Sequence, residues 1–334
     1  MKKLLKQLTE TFGPSGYEEN VRKLVRAEVR PFADEIKVDA LGNLIVRKKP
    51  TKQSKDTKKV MIAAHMDEIG LIVSHVDDNG FIRFSPLGTL IRRYVPGGRV
   101  RFLNGTQGVI GFDRLDDLNE LPTLDKVHID VGATSKKNCP VKVGDVAAFD
   151  RPFTEMGDRL VAKSMDNRAG VLVAIETLRA LKSTPYDVYF VFTTQEEVGT
   201  RGAVTSAYGV DPDIGIALDV TPTGDTPKAL KMEMVLGNGP CIKIKDVGAI
   251  SDPRIVQWMI RVAEKNKIPY QREVLLVGGT DAMAIQLTRA GVPSGSISIP
   301  VRYVHSPSEM VDTSDVQNSI KLLVTLLRAP IDLG

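Results

Sequence analysis

The stretch "KKVMIAAHMDEIGLIV", residues 58–73, decides the fold. Val60 to Ala64 is a short, continuous apolar run without the alternation of a half-solvated strand. It predicts a strand buried on both faces, as in a parallel sheet covered by helices. The run ends in His65, followed by Asp67 and Glu68, and the texture then changes. "GLIVSHVDDNGFIRFSPLG" and "GRVRFLNGTQGVIGF" carry hairpin signals around Asp/Asn-Gly turns, and "KVHIDVG" and "GDVAAFD" add short strands. No long helical pattern follows the histidine until about residue 163.

Strands and helices alternate on either side of this β-rich segment. "DNRAGVLVAIETLRALK", "DPRIVQWMIRVAEKN" and "TSDVQNSIKLLVTLLRA" have helical spacing, while "DVYFVFTTQEE", "IGIALDV" and "SGSISIP" read as strands. The N-terminal part reads as helix, turn, helix. Leu4, Leu5 and Leu8 share a face, "GPSG" breaks the chain, and Ser15 with Glu18 predicts a capping box for a helix through Val29. The expected fold class is α/β, a mixed and mostly parallel sheet flanked by helices, with an inserted all-β domain. The expected division assigns residues 1–67 plus 162–334 to the α/β unit and 68–161 to the insert.

Composition narrows the function classes. The 334 residues exceed the size at which single cores stop growing, and 42% apolar with 26% charged residues is ordinary for a soluble protein. A formal net charge of +4 gives no argument for nucleic acid or a membrane surface, and the lysines of residues 47–59 sit among Pro50, Ser54 and threonines as a solvated connection. Lys6, Gln7, Thr9 and Glu10 interrupt any N-terminal apolar segment of signal-peptide length, and no run reaches a transmembrane span. Cys139 and Cys241 lack metal or redox spacing and read as reduced thiols. A cytoplasmic protein is expected.

Ligands in open α/β sheets gather at the carboxyl ends of the strands. Those ends here carry His65, the pair Glu196 and Glu197, and Asp219, with His305 in "VRYVHSPSE" after the last strand. Asp166, in "KSMDNRAG", stands where the insert returns. Each has an ordinary explanation alone, such as a helix cap, a strand-end turn or a solvated acidic loop. Together, two imidazoles and several carboxylates at buried strand ends call for a cation. Histidine and carboxylate donors without cysteine suit Zn²⁺, Co²⁺ or Mn²⁺ in a catalytic site. Adjacent glutamates just past a strand point differently, so one can hold a metal while the other faces its water.

The ordered motifs "HMDEIG", "MDNRAG", "QEEVGTRGA", "ALDV", "GGTDA" and "HSPSE" resemble the M42 family of dinuclear metallo-aminopeptidases, the tetrahedral aminopeptidases, over essentially the whole chain. The resemblance implies a catalytic α/β domain of zinc-peptidase type interrupted by a β-rich dimerisation domain. It implies two divalent ions per subunit, one on His65 and Asp219, the other on Glu197 and His305, with Asp166 bridging both. Glu196 would be general base and acid for attack by metal-bound hydroxide, and Asp67 would fix the tautomer of His65. Gly279, Thr280 and Asp281 would line the substrate cleft, and Glu68 would be structural. The implied substrates are short peptides with a free N-terminus, and the implied assembly is a homo-oligomer of dimers forming a tetrahedral dodecamer.

Three rivals have distinct marks. A dinuclear carboxypeptidase or deacylase usually places its extra domain later in the chain. An endoglucanase-type glycoside hydrolase needs only a carboxylate pair. Histidines in register with the acids, and 5% aromatic residues with one Trp, count against sugar binding. A binding module would have little use for an acid beside a metal ligand. His75 and His128 fall in the insert, where packing or surface roles are expected, and "VGGTDAMAI" lacks the lysine of a phosphate loop.

Overall fold

The structure, a computed structural model, describes residues 1–117 and 119–333. Helices α1 (Lys2–Glu10) and α2 (Glu19–Val29) each bury one stripe, Leu4, Leu5 and Leu8 from the first and Val21, Val25 and Val29 from the second. The expected capping box does not form. Glu18 precedes α2 without a side-chain cap, because its carboxylate takes the N–H of Gly16 and of Gln195, and the Ser15 hydroxyl donates to Asp67.

Strands β1 (Glu35–Val38), β2 (Leu44–Lys48) and β3 (Lys59–His65) follow. Every residue of β3 after Lys59 is buried, as its unbroken apolar run requires. The chain then enters β4 (Gly70–Val76), β5 (Ile82–Leu87), β6 (Arg99–Phe102), β7 (Gln107–Phe112), β8 (Val127–Asp130) and β9 (Val146–Phe149). These close into a barrel in the order β4-β5-β8-β7-β6-β9, with Leu71, Val73, Ile82, Val100, Ile110 and Ile129 in its core. Closure removes the exposed edges an isolated hairpin array would present.

The remainder comprises β10 (Thr154–Met156), β11 (Arg159–Ala162), α3 (Met165–Ala180), β12 (Asp187–Thr193), α4 (Arg201–Val210) and β13 (Ile214–Pro222). After these come β14 (Cys241–Lys245), α5 (Pro253–Lys265), β15 (Gln271–Val274), α6 (Ala282–Gln286), β16 (Ser294–Arg302), β17 (Glu309–Asp312) and α7 (Thr313–Leu326). The large sheet runs β1-β2-β12-β3-β13-β16-β17-β11-β10, with β14 joining β16 and β15. Its centre, β12-β3-β13-β16, is parallel. Period-two alternation splits β3 between two layers. Val60, Ile62 and Ala64 pack with α1, α2, α3, α5 and α7, and Met61 and Ala63 with α4 and α6.

The mixed α/β sheet and the inserted all-β barrel are as expected, but sheet membership shifts the expected division. A boundary between residues 161 and 162 would cut β11, whose partner is β17 of the large sheet, whereas the barrel strands end at Phe149. The short strands β10 and β11 resemble the insert in sequence, and only long-range pairing assigns them to the large sheet.

Candidate active site

Parallel pairing brings the chemistry-bearing residues to one edge of the sheet. His65 ends β3 opposite Thr193 on β12, so the chain after β12 delivers Glu196 and Glu197 beside it. Asp219 lies within β13, opposite Ser298 on β16. It does not end its strand, because pairing between β13 and β16 continues to Pro222 and Val301. His305 follows β16, and Asp166 occupies the first turn of α3.

Asp166 stands between the two imidazoles. Its Oδ1 is 3.1 Å from His65 Nε2 and its Oδ2 is 3.3 Å from His305 Nε2. On one side, His65 Nε2 is 3.7 Å from Asp219 Oδ1; on the other, His305 Nε2 is 3.4 Å from Glu197 Oε2. Two imidazole-carboxylate clusters thus share one aspartate. Donor atoms of His65, Asp166 and Glu197 all lie within 4.8 Å of one another, the compactness a cation needs. Glu196 Oε2 is 4.0 Å from His65 Nε2.

The electrostatics of these clusters fit a positively charged occupant. Burial alone would push the His65 imidazole down, yet Asp166, Asp219 and Asp67 hold it well above its usual value. Burial also opposes the charge on His305, and Glu197 and Asp166 raise that imidazole to about 10. Burial pushes Glu197 up to about 8, with Asp166 adding to it, and lifts Glu196 with help from Asp219 and Asp281. Glu197 Oε1 is also buried without a hydrogen-bond partner among the described residues, a lone pair that a metal ion would satisfy. On both counts the residues present fit divalent cations.

Buried carboxylates outside the clusters hold the backbone that carries them. Asp67 Oδ1 accepts from the Glu196 N–H at 3.0 Å, and its Oδ2 accepts from the Glu197 N–H at 3.1 Å and from the Ser15 hydroxyl at 2.6 Å. Its backbone carbonyl is 3.1 Å from His65 Nδ1, while its carboxylate is 3.4 Å away. The Asp67 carbonyl is thus nearer to His65 Nδ1 than its carboxylate, which instead accepts from the backbones of the glutamate pair. Gln195 and His305 are left-handed, with φ of 55° and 61°. Such non-glycine strain costs about 1–3 kcal/mol per residue and persists where neighbours over-determine it. Here Glu18 accepts from the Gln195 N–H and Glu309 from the His305 N–H.

Glu309 is the functional residue the motif reading missed, although it closes the "HSPSE" segment. Its Oε1 accepts from His305 N at 2.7 Å and its Oε2 from Asp166 N at 3.0 Å, so one carboxylate ties together the backbones of the shared aspartate and a cluster histidine. Glu309→Ala should weaken divalent-ion binding about 10–100-fold, read by equilibrium dialysis with a zinc indicator, with the circular dichroism spectrum unchanged. Unaltered affinity would contradict this role.

With that geometry in view, the sequence profile described as M42 glutamyl aminopeptidase matches residues 42–322. The chain belongs to the M42 peptidase family. A relative from Acetivibrio thermocellus that carries an aminopeptidase name is 48% identical, over 96% of this chain and 96% of its own. The solved aminopeptidase of Desulfurococcus kamchatkensis superposes with a TM-score of 0.93 at 42% identity, covering 98% of this chain and 94% of that one. The Pyrococcus horikoshii TET1 peptidase, described as assembling into a tetrahedron or a large octahedral shell, superposes at 0.87 with 32% identity, covering 98% and 99%.

In this M42 chain Glu68 is a buried tie between the entry to the barrel and the junction of β11 with α3. Its Oε2 lies 2.6 Å from Lys163 Nζ, and its Oε1 accepts from the Gly13 N–H at 3.1 Å and lies 3.5 Å from Arg168 Nη2. Arg168 donates to the carbonyls of Met66, Leu8, Thr11 and Gly13, locking α1 and α3 beside His65. His75 is exposed on β4, and His128 packs edge-on against Phe81, so neither belongs to the site.

A cavity of about 620 Å³ opens above the clusters. Gly88 lets a barrel loop reach it. At φ 83° this residue passes so close to Glu197 that a Cβ would sit 2.9 Å from Oε2. The loop brings Thr89, Ile91 and Tyr94 to the cavity. Gly279 lines it, but Thr280 and Asp281 do not, contrary to expectation. Both turn inward at the start of α6, Thr280 Oγ1 to Ser296 Oγ and Asp281 to the Thr193 hydroxyl, and both are buried. A second cavity of about 840 Å³, lined by Lys58, Tyr186 and Arg328 among others, includes none of the cluster residues.

Proposed function

We propose that the chain is a metal-dependent aminopeptidase that removes N-terminal residues from short peptides. The observation that carries this reading is the pair of imidazole-carboxylate clusters joined through Asp166, with Glu196 alongside. His65, Asp219 and Asp166 would hold one divalent ion, and His305, Glu197 and Asp166 the other. Zinc, cobalt or manganese suits these donors. Such ions, when bound, acidify water and polarise the scissile carbonyl.

Glu196 does the proton work. Its carboxylate takes a proton from the attacking water as the C–O bond forms and delivers it to the amide nitrogen as the C–N bond breaks. Burial raises its proton affinity, which suits a group that must carry a proton between two steps. Asp67 keeps Glu196 and Glu197 apart in role by holding both backbones.

The relatives' assemblies support a homo-oligomer, with the barrel supplying a subunit contact and dimers building a tetrahedral dodecamer, an assembly whose mass light scattering reads directly. Among the described residues no helix is long and apolar enough to cross a membrane. The function is tested by asking whether cleavage needs both an added divalent cation and a free α-amine.

A further inference from the structure

The cavity has a charged floor and an apolar wall, drawn from different parts of the chain. The floor is Asp166, Glu196, Glu197 and Asp219 with the two imidazoles. The wall is Ile91 from the barrel loop, Leu230 and Met232 after β13, Leu275 and Val277 after β15, and Met283 on α6. Leu230 and Val277 leave 65% and 52% of their surface in water. An apolar group placed there would release that water.

The segment that carries Leu230 and Met232 is held in place. Arg302 clasps Asp225 with bonds of 2.9 and 2.8 Å, and the Asp315 carboxylate accepts from the Gly237 and Gly239 N–H groups at 2.7 Å each. The wall is thus built before substrate arrives, while its two methionines give it adaptable shape. Met283 fits because residue 248 is glycine: a Cβ there would meet its sulfur at 2.5 Å.

Charge selection follows from what the wall lacks. Among the described residues lining the cavity none is Lys or Arg. The buried ammonium of Lys243 on β14 is outside the lining, 2.7 Å from Glu273 Oε1 and 3.6 Å from Asp246 Oδ2. An acidic side chain packed against this wall would be desolvated without a lysine or arginine counter-charge in the lining. A basic one would compete for carboxylates already assigned to cations or to proton transfer.

We propose, resting on the aminopeptidase reading, that the side chain of the residue removed packs against this wall, so that substrates beginning with leucine, methionine or phenylalanine are cleaved in preference to those beginning with glutamate or lysine. The preference departs from the glutamyl activity that the family's description names.

The test is kcat/KM of the metal-loaded protein for leucine, methionine, phenylalanine, alanine, glutamate and lysine p-nitroanilides, with inhibition by free leucine and free glutamate as a binding readout. Leucine should exceed alanine, glutamate and lysine by about tenfold or more, and free leucine should inhibit more strongly than free glutamate. Met232→Lys, with folding checked by circular dichroism, should move the glutamate-to-leucine ratio upward by about tenfold. Cleavage of glutamate or lysine substrates as fast as leucine would overturn the preference and leave the aminopeptidase intact. No cleavage of any member of the set would overturn both.

Discussion

Glu196→Gln should keep its metal and lose nearly all turnover. The substitution preserves shape and leaves both clusters intact, since neither assigned donor set includes Glu196. An amide cannot take the proton from water, so kcat should fall by about 10²–10⁴-fold. Measuring kcat on leucine p-nitroanilide together with metal content by atomic emission separates this from a binding defect. Full activity in the variant would remove Glu196 from the proton path.

Asp166→Ala removes the carboxylate that both clusters share, whose oxygens lie 3.1 and 3.3 Å from the two imidazoles. Neither cluster keeps three donors, so the protein should retain less than about one ion per chain after dialysis and show no measurable cleavage. The effect is larger than loss of a peripheral ligand because one side chain serves two positions. Asp166 is held well below the usual carboxylate range, as His305 and His65 outweigh its burial. Two ions retained by the variant would contradict the bridging assignment.

The sequence showed what strand period and strand ends can show. The unbroken run before His65 revealed a doubly buried strand, the change of texture after it revealed the barrel, and the acids and histidines read as strand-end residues come together on the cavity floor, although Asp219 lies within β13. It was silent wherever a residue acts through a distant backbone. Glu18 looked like a helix cap, but its carboxylate reaches Gln195; Glu309 looked like the tail of a motif, but it ties His305 to Asp166. Thr280 and Asp281 sit beside a lining glycine, and only the inward turn at α6 takes them out of the cavity. The return from the barrel was misplaced for the same reason, since β11 is assigned by pairing with β17 and by nothing local.

The register of the site also weighs against a metal-free carboxylate pair acting on sugars. Both imidazoles are within hydrogen-bond range of one aspartate, an arrangement such a pair has no use for. The most direct measurement is hydrolysis of leucine p-nitroanilide and its N-acetyl derivative by protein stripped with a chelator and then titrated with Zn²⁺ or Co²⁺. The structure predicts no cleavage of either by the stripped protein, and cleavage of the free-amine substrate alone that rises to a plateau at about two ions per chain. Equal activity before and after stripping, or equal cleavage of the acetylated substrate, would contradict a metal-dependent aminopeptidase.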